Sequence, residues 1–175
     1  MTIHEKSPDT TRLTDTAVHE VLVIGAGFSG LGVTHRLREA GVRDIVILER
    51  AQDVGGTWRD NRYPGAACDI PSNLYSWSFA PNPDWSRSYP SAPEIHDYIR
   101  HTAERLDLLR YVRFGHNVTA VHFQDDHWRV DTSDHGSFRA RALVMASGPL
   151  ANASYPAIPG IDSYAGKKIH SARWD

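Results

Sequence analysis

After a polar stretch, residues 20–24 (EVLVI) form an apolar run that passes straight into glycines, the pattern of a strand covered on both faces as it enters a tight turn. Residues 29–40 then place Leu31, Val33, His35, Leu37 and Ala40 at helical spacing, and Gly41 stands where a helix C-terminus wants a residue with positive φ. Residues 44–49 (DIVILE) are a second continuous apolar run closed by an acid. Strand, glycine turn, helix and strand together predict a right-handed βαβ unit, the start of a Rossmann-like α/β fold. From residue 50 to 93 glycine, proline and aromatic residues thicken and periodicity fades, which predicts an ordered irregular excursion. Within it, Tyr75-Ser-Trp77-Ser-Phe79 alternates aromatic and polar residues as an extended segment would. Helical spacing returns over residues 92–109, with Pro93 and Glu94 suited to a first turn and Ile95, Tyr98, Ile99 and Leu106 on one face. Three alternating runs, 117–124, 127–132 and 137–145, separated by turn residues, predict a β-meander inserted in the α/β fold. Pro149, Pro156 and Pro159 then mark an extended connector.

The 175 residues suffice for one domain with a sizeable core. A net charge of −2 gives no field that would gather nucleic acid or an anionic membrane, so neither is expected as a partner. Cys68 is the single cysteine, which excludes an internal disulfide and agrees with a reducing, cytoplasmic setting. Residues 1–17 are polar, lack an apolar core segment, and read as a disordered tail rather than a signal peptide. Ten histidines include no pair at metal-binding spacing beside an acid, so no metal is expected.

The chemistry starts at Gly25-Ala26-Gly27-Phe28-Ser29-Gly30, a G-x-G-x-x-G lying directly between strand one and helix one. Gly25 permits the turn, Gly27 lets a pyrophosphate approach the main chain, and Gly30 lets helix and strand pack closely. The phosphates would rest on a positive helix end. About 20 residues on, Glu49 closes strand two, where a carboxylate can accept hydrogen bonds from the ribose hydroxyls of an adenosine. Glycine-rich turns also arise structurally, but the flanking strands and Glu49 favour dinucleotide binding. An NAD dehydrogenase would share these features. The following residues discriminate: Gly55-Gly56-Thr57-Trp58, Asn61-Arg62-Tyr63-Pro64-Gly65 and Cys68-Asp69, in that order. Cys68 reads as a buried thiol rather than a nucleophile. Arg59 and Asp60 read as solvated charges, and Trp77 and Phe79 as core.

That second run resembles the segment that wraps the flavin end of FAD in flavin monooxygenases. Tyr164-Ala-Gly166-Lys-Lys-Ile-His170-Ser-Ala-Arg-Trp174-Asp175 resembles the Baeyer–Villiger monooxygenase fingerprint F-x-G-x-x-x-H-x-x-x-W-[P/D], with Tyr164 in place of the phenylalanine. The resemblance runs from Val21 to Asp175. It implies FAD contacts at Gly25, Ala26, Gly27, Phe28, Ser29, Gly30, Glu49, Arg50, Gly56, Thr57, Trp58, Asp69, Tyr75, Val118, Ala146 and Gly148. It implies NADP contacts at Ala67, Cys68 and Asp69, with Ala67 replacing an arginine common in the family, and a catalytic part for Asp69, which pairs there with an arginine from elsewhere in the enzyme. Tyr164, Gly166, His170, Trp174 and Asp175 would link domains. The implied organisation is an FAD-binding part over 18–150 and a linker over 151–175, with the NADPH domain absent, so the chain reads as an amino-terminal fragment. The implied activity is an FAD- and NADPH-dependent monooxygenase that inserts one oxygen atom of O₂ next to a ketone carbonyl. Two alternatives stay open: oxidation of sulfur or nitrogen heteroatoms, and a module that binds FAD or its ADP half without catalysis.

Overall fold

The computed structural model describes residues 17–133, 136–150 and 152–174. The expected tail lies outside the described residues except for Ala17, as does Asp175 of the fingerprint.

Strand β1 (Val18–Ile24) sits in the middle of a six-stranded mixed sheet of order β3-β2-β1-β6-β5-β4. Helix α1 (Phe28–Glu39) returns the chain so that β2 (Ile45–Glu49) runs parallel to β1, in the register Val21 with Ile45 to Ile24 with Leu48. All five residues of β2 are buried, which is why its sequence is continuously apolar up to Glu49. A short helix α2 (Thr57–Asp60) and a long one, α3 (Ala92–Arg105), precede β3 (Val112–Phe114), which adds in parallel beyond β2.

The meander is β4 (Val118–Gln124), β5 (His127–Thr132) and β6 (Gly136–Met145), paired antiparallel. It is continuous with the parallel sheet. The first half of the ten-residue β6 pairs β5, while Arg139 to Met145 run parallel to β1. Side chains alternate across the sheet. Val21, Val23, Ile45 and Ile47 therefore pack on one face with Leu31, Ile95 and Ile99, and Leu22, Ile24, Val46 and Leu48 pack on the other with Val130, Phe138 and Ala140. Val118 and Val121 of the meander pack against this second cluster as well.

Two expectations need correcting. The helix expected over 92–109 stops at Arg105, because Leu108 N–H bonds to Ala103 C=O and Asp107 N–H to Glu104 C=O, a Schellman termination with Asp107 at φ 54°. A 3₁₀ turn over Leu109–Tyr111 and then β3 follow. The same termination closes α1, through Val42 N–H to Leu37 C=O and Gly41 N–H to Arg38 C=O. The extended segment expected around Tyr75–Phe79 is instead a 3₁₀ turn over Ser72–Leu74 followed by a tight turn in which Ala80 N–H bonds back to Trp77 C=O. Tyr98 of α3 enforces this: its hydroxyl accepts from Trp77 N–H (2.8 Å) and donates to Ala80 C=O (2.7 Å). Trp77 is buried and Phe79 packs beside it in the core.

Candidate functional site

Strands β1, β2 and β6 run parallel, so their carboxyl ends meet at one edge of the sheet. That edge is where open α/β sheets keep their binding crevices. It carries the glycine turn, Glu49 and residues 146–148. Gly25, at φ 102°, bonds through its N–H to Leu48 C=O (2.8 Å), and a Cβ there would stand 2.6 Å from the Ala146 carbonyl oxygen. A Cβ on Gly30 would stand 1.9 Å from the Gly25 carbonyl oxygen. Gly27 differs: a Cβ there meets nothing nearer than Gly56 Cα at 3.6 Å, so the glycine keeps open a space that the fold itself does not need. The first bond of α1 is Leu31 N–H to Gly27 C=O, so earlier N–H groups lie outside the helical ladder at the positive end of the helix.

These residues open onto a cleft of about 560 Å³. Of the residues expected to bind cofactor, Gly25, Gly27, Phe28, Ser29, Glu49, Arg50, Gly56, Thr57, Trp58, Asp69, Tyr75, Val118, Ala146 and Gly148 line it. Ala26 and Gly30 do not; both are buried behind the turn, where Ala26 N–H donates to Glu49 Oε2 (2.8 Å). The donor set fits a flavin dinucleotide: open glycine backbone and a helix start for phosphates, a carboxylate for ribose, and aromatic rings in the same wall. Trp58 Nε1–H donates to the Tyr75 hydroxyl at 3.0 Å, with the two rings edge to face. Burial pushes the Tyr75 phenol above its ordinary value, the Trp58 hydrogen bond opposes this, and Cys68 and Asp69 add to it.

The other expected sites divide. Cys68, buried, and Asp69, exposed, line the cleft, but Ala67 faces a neighbouring cavity of about 640 Å³ with Arg62, Arg87 and His96. Trp58 contributes to both walls. The fingerprint residues Tyr164, Gly166, His170 and Trp174 do not line the cleft. Tyr164 is exposed, and His170 Nδ1 accepts from Ala172 N–H (3.1 Å) while its ring meets Tyr155. The 3₁₀ turn Ser171–Arg173 packs against α2 with Ala172 buried, and Trp174 borders a hollow with Arg59, Asp60 and Arg62.

Arg59 and Asp60 correct the sequence reading most. They are not solvated. Arg59 is 7% exposed and donates to Glu49 Oε1 (3.0 Å), the Asp53 carbonyl (2.6 Å) and Asp60 Oδ1 (2.8 Å), and Asp60 also pairs with Arg50 (3.3 Å). Burial alone would raise the Asp60 carboxyl, yet the hydrogen bonds and charges of Arg59 and Arg50 outweigh it and hold the group below its ordinary value. Burial likewise opposes the Arg59 charge, and Asp60 and Glu49 overcome it. Glu49 carries three donors, from Ala26 N–H, Ala51 N–H (3.0 Å) and Arg59. His116, Asn117, Pro149 and Asn152 also line the cleft and carried no sequence signal beyond their nearness to strand ends. Among the described residues no helix is long and apolar enough to cross a membrane.

Residues 22–175 match the family described as pyridine nucleotide-disulphide oxidoreductase. A Baeyer–Villiger monooxygenase of Streptomyces coelicolor is 48% identical over 163 residues, which cover 90% of this chain and 31% of that protein. An oxidized steroid monooxygenase bound to NADP superposes with a TM-score of 0.80 at 42% identity, over 91% of this chain and 32% of that one. A complex of OTEMO with FAD and NADP gives 0.82 at 34% identity, over 92% and 31%. The chain thus spans about a third of the length of the relatives it matches. With a Rossmann-like sheet and a glycine-lined cleft at its carboxyl edge, the chain belongs to the pyridine nucleotide-disulphide oxidoreductase family and is similar to the amino-terminal part of Baeyer–Villiger monooxygenases.

Proposed function

We propose that this chain forms the FAD-binding part of an FAD- and NADPH-dependent monooxygenase of the Baeyer–Villiger type, acting on a small ketone and O₂. The observation that carries this reading is the one cleft lined by both the glycine turn with Glu49 and the Trp58, Asp69 and Tyr75 group, in which Gly27 holds open a space the fold does not use. The chemistry that FAD supplies when bound is electron exchange with a nicotinamide and activation of O₂, which no side chain here provides.

The chain's own residues bind and shield. Main-chain N–H groups at the start of α1 and around Gly56 receive the pyrophosphate. Glu49 receives ribose, and Val118, Ala146 and Gly148 border the cofactor on the meander and β6 side. Trp58 and Tyr75, locked to one another, close the aromatic part of the wall and keep water from it. Asp69, beside Cys68 and Tyr75, supplies an exposed carboxylate that a cation near the reacting carbonyl pairs with; Cys68 and Asp69 border the nicotinamide from the cleft, and Ala67 from the neighbouring cavity. Residues 18–150 bind the cofactor, and residues 151–175 link this part to the NADPH-binding part of the complete enzyme.

Titration of the purified chain with FAD tests this. Quenching of flavin fluorescence to a one-to-one end point and a rise in melting temperature with FAD concentration are expected. A folded chain that neither quenches FAD nor is stabilised by it sinks the reading.

A further inference from the structure

Arg59 projects from α2 into the protein and not into solvent, although it sits next to an acid it could meet at the surface. Removing a guanidinium from water is costly, and an apolar side chain of similar volume often serves packing as well. What the charge does here is grip Glu49 Oε1 with Nη1, while the same nitrogen is tied to the Asp53 carbonyl and Nε to Asp60. Other charges around the pair are engaged as well: Arg50 on Asp60, and the Asp53 carboxylate on His96 and Arg100. Glu49 N–H and C=O belong to the β2 neighbourhood, with His116 N–H on its carbonyl, so its backbone is fixed too. A carboxylate offers about four lone-pair sites. Ala26, Ala51 and Arg59 take three, and Glu49 still lines the cleft.

We infer that Arg59 is a positioning residue for nucleotide recognition: it fixes the Glu49 carboxylate in one orientation, so that its remaining acceptor site takes a ribose hydroxyl of an adenosine phosphate in the cleft. This rests on the dinucleotide-binding reading above and deepens it. A single remaining site means one hydroxyl is bound by Glu49, not both.

The test compares ADP with 2′,3′-dideoxy-ADP by titration calorimetry on the full chain and its variants. The unmodified chain is expected to prefer ADP about tenfold, the worth of one hydrogen bond to a charged acceptor, about 1.4 kcal/mol. In Arg59→Met that preference collapses toward unity, with the analogue's own affinity little changed. Arg59→Lys, which keeps the charge but loses the planar fork, retains part of it. A merely structural arginine predicts the opposite: both nucleotides weaken together and the ratio survives, and that result overturns the inference. Should Arg59→Met not fold, Arg59→Lys carries the same ratio test. An unmodified chain that binds both nucleotides equally defeats this inference and leaves the dinucleotide reading standing. One that binds neither nucleotide, nor FAD, defeats both.

Discussion

Two glycines three residues apart in the same turn are expected to fail in different ways when each is replaced by alanine. At Gly30 the new Cβ would lie 1.9 Å from the Gly25 carbonyl oxygen and 3.5 Å from Ala146 Cβ, so the methyl has backbone on one side and a packed strand end on the other. Alanine gains about 1 kcal/mol of helix propensity over glycine. Overpacking that no flexible side chain can relieve costs about 3 kcal/mol, the upper part of the usual range. The clash wins, and Gly30→Ala should lose about 2 kcal/mol net, a fall of roughly 4–8 °C in melting temperature for a domain of this size. At Gly27 the nearest atom to the new Cβ is 3.6 Å away, an ordinary contact, and φ −85° with ψ −166° is open to alanine. Losing glycine at the N-cap costs only about 0.5 kcal/mol, so folding should barely change. Ligand binding should change instead, because that methyl enters the space where phosphate must approach; a loss of about tenfold or more in FAD affinity corresponds to only about 1.4 kcal/mol of steric cost. Urea unfolding gives the first quantity and flavin fluorescence the second. A Gly30→Ala chain as stable as the unmodified one, or a Gly27→Ala chain that binds FAD undiminished, would refute the assignment of one glycine to packing and the other to ligand.

Three further outcomes follow from local geometry. Tyr98→Phe removes the acceptor of Trp77 N–H and the donor to Ala80 C=O in a buried corner, and should cost about 2 kcal/mol in chemical denaturation. Asp107→Gly relieves a non-glycine residue at φ 54°, and should raise stability by about 1 kcal/mol, because the ion pair it gives up to Arg110 is exposed and worth little. Asp60 has a folded value held below its ordinary 3.8, so its contribution is present above that pH and drains away as pH falls through the depressed value. The slope of stability against pH below about 4 should therefore be shallower in Asp60→Asn than in the unmodified chain; equal slopes would mean the carboxylate adds nothing.

The parts of the fold that were legible are those whose cause is local. Strands β1 and β2 announce themselves because residues buried on both faces must all be apolar, and the ends of α1 follow from a glycine turn before it and Gly41 after it. Strand β3 escaped because three residues are too few to show a period, and its pairing beside β2 is a contact distant in sequence. The end of α3 escaped because Asp107 takes a conformation usually left to glycine. The alternation at Tyr75–Phe79 misled for a different reason. Aromatic residues spaced by two fit a strand, but here they serve a cluster around Phe28 and Tyr98, and the hydroxyl of Tyr98 bends the main chain into a turn.

Within the site, the same division separates ligand-facing residues from those behind them. The glycine turn, Glu49, Trp58 and Tyr75 carry side chains, or lack them, for reasons visible in a short window, and they converge on one cleft. Arg59 looked solvated because in sequence its neighbour is Asp60 and adjacent opposite charges on a short surface helix are commonplace. Its decisive partner is ten residues back, at the end of another element, and the contact exists only because the Gly55-Gly56 bend, with both glycines at positive φ, swings α2 across the end of β2. The bend is fixed by Gly55 N–H bonding to Ala26 C=O, while Ala26 N–H bonds to Glu49. The glycine turn, the carboxylate and the buried arginine are thus joined in one ring, three hydrogen bonds closed by the main chain from Gly55 to Arg59. A change at Arg59 should therefore register at the Glu49 carboxylate, whereas the glycine turn keeps its own supports, Gly25 N–H on Leu48 C=O and Gly55 N–H on Ala26 C=O.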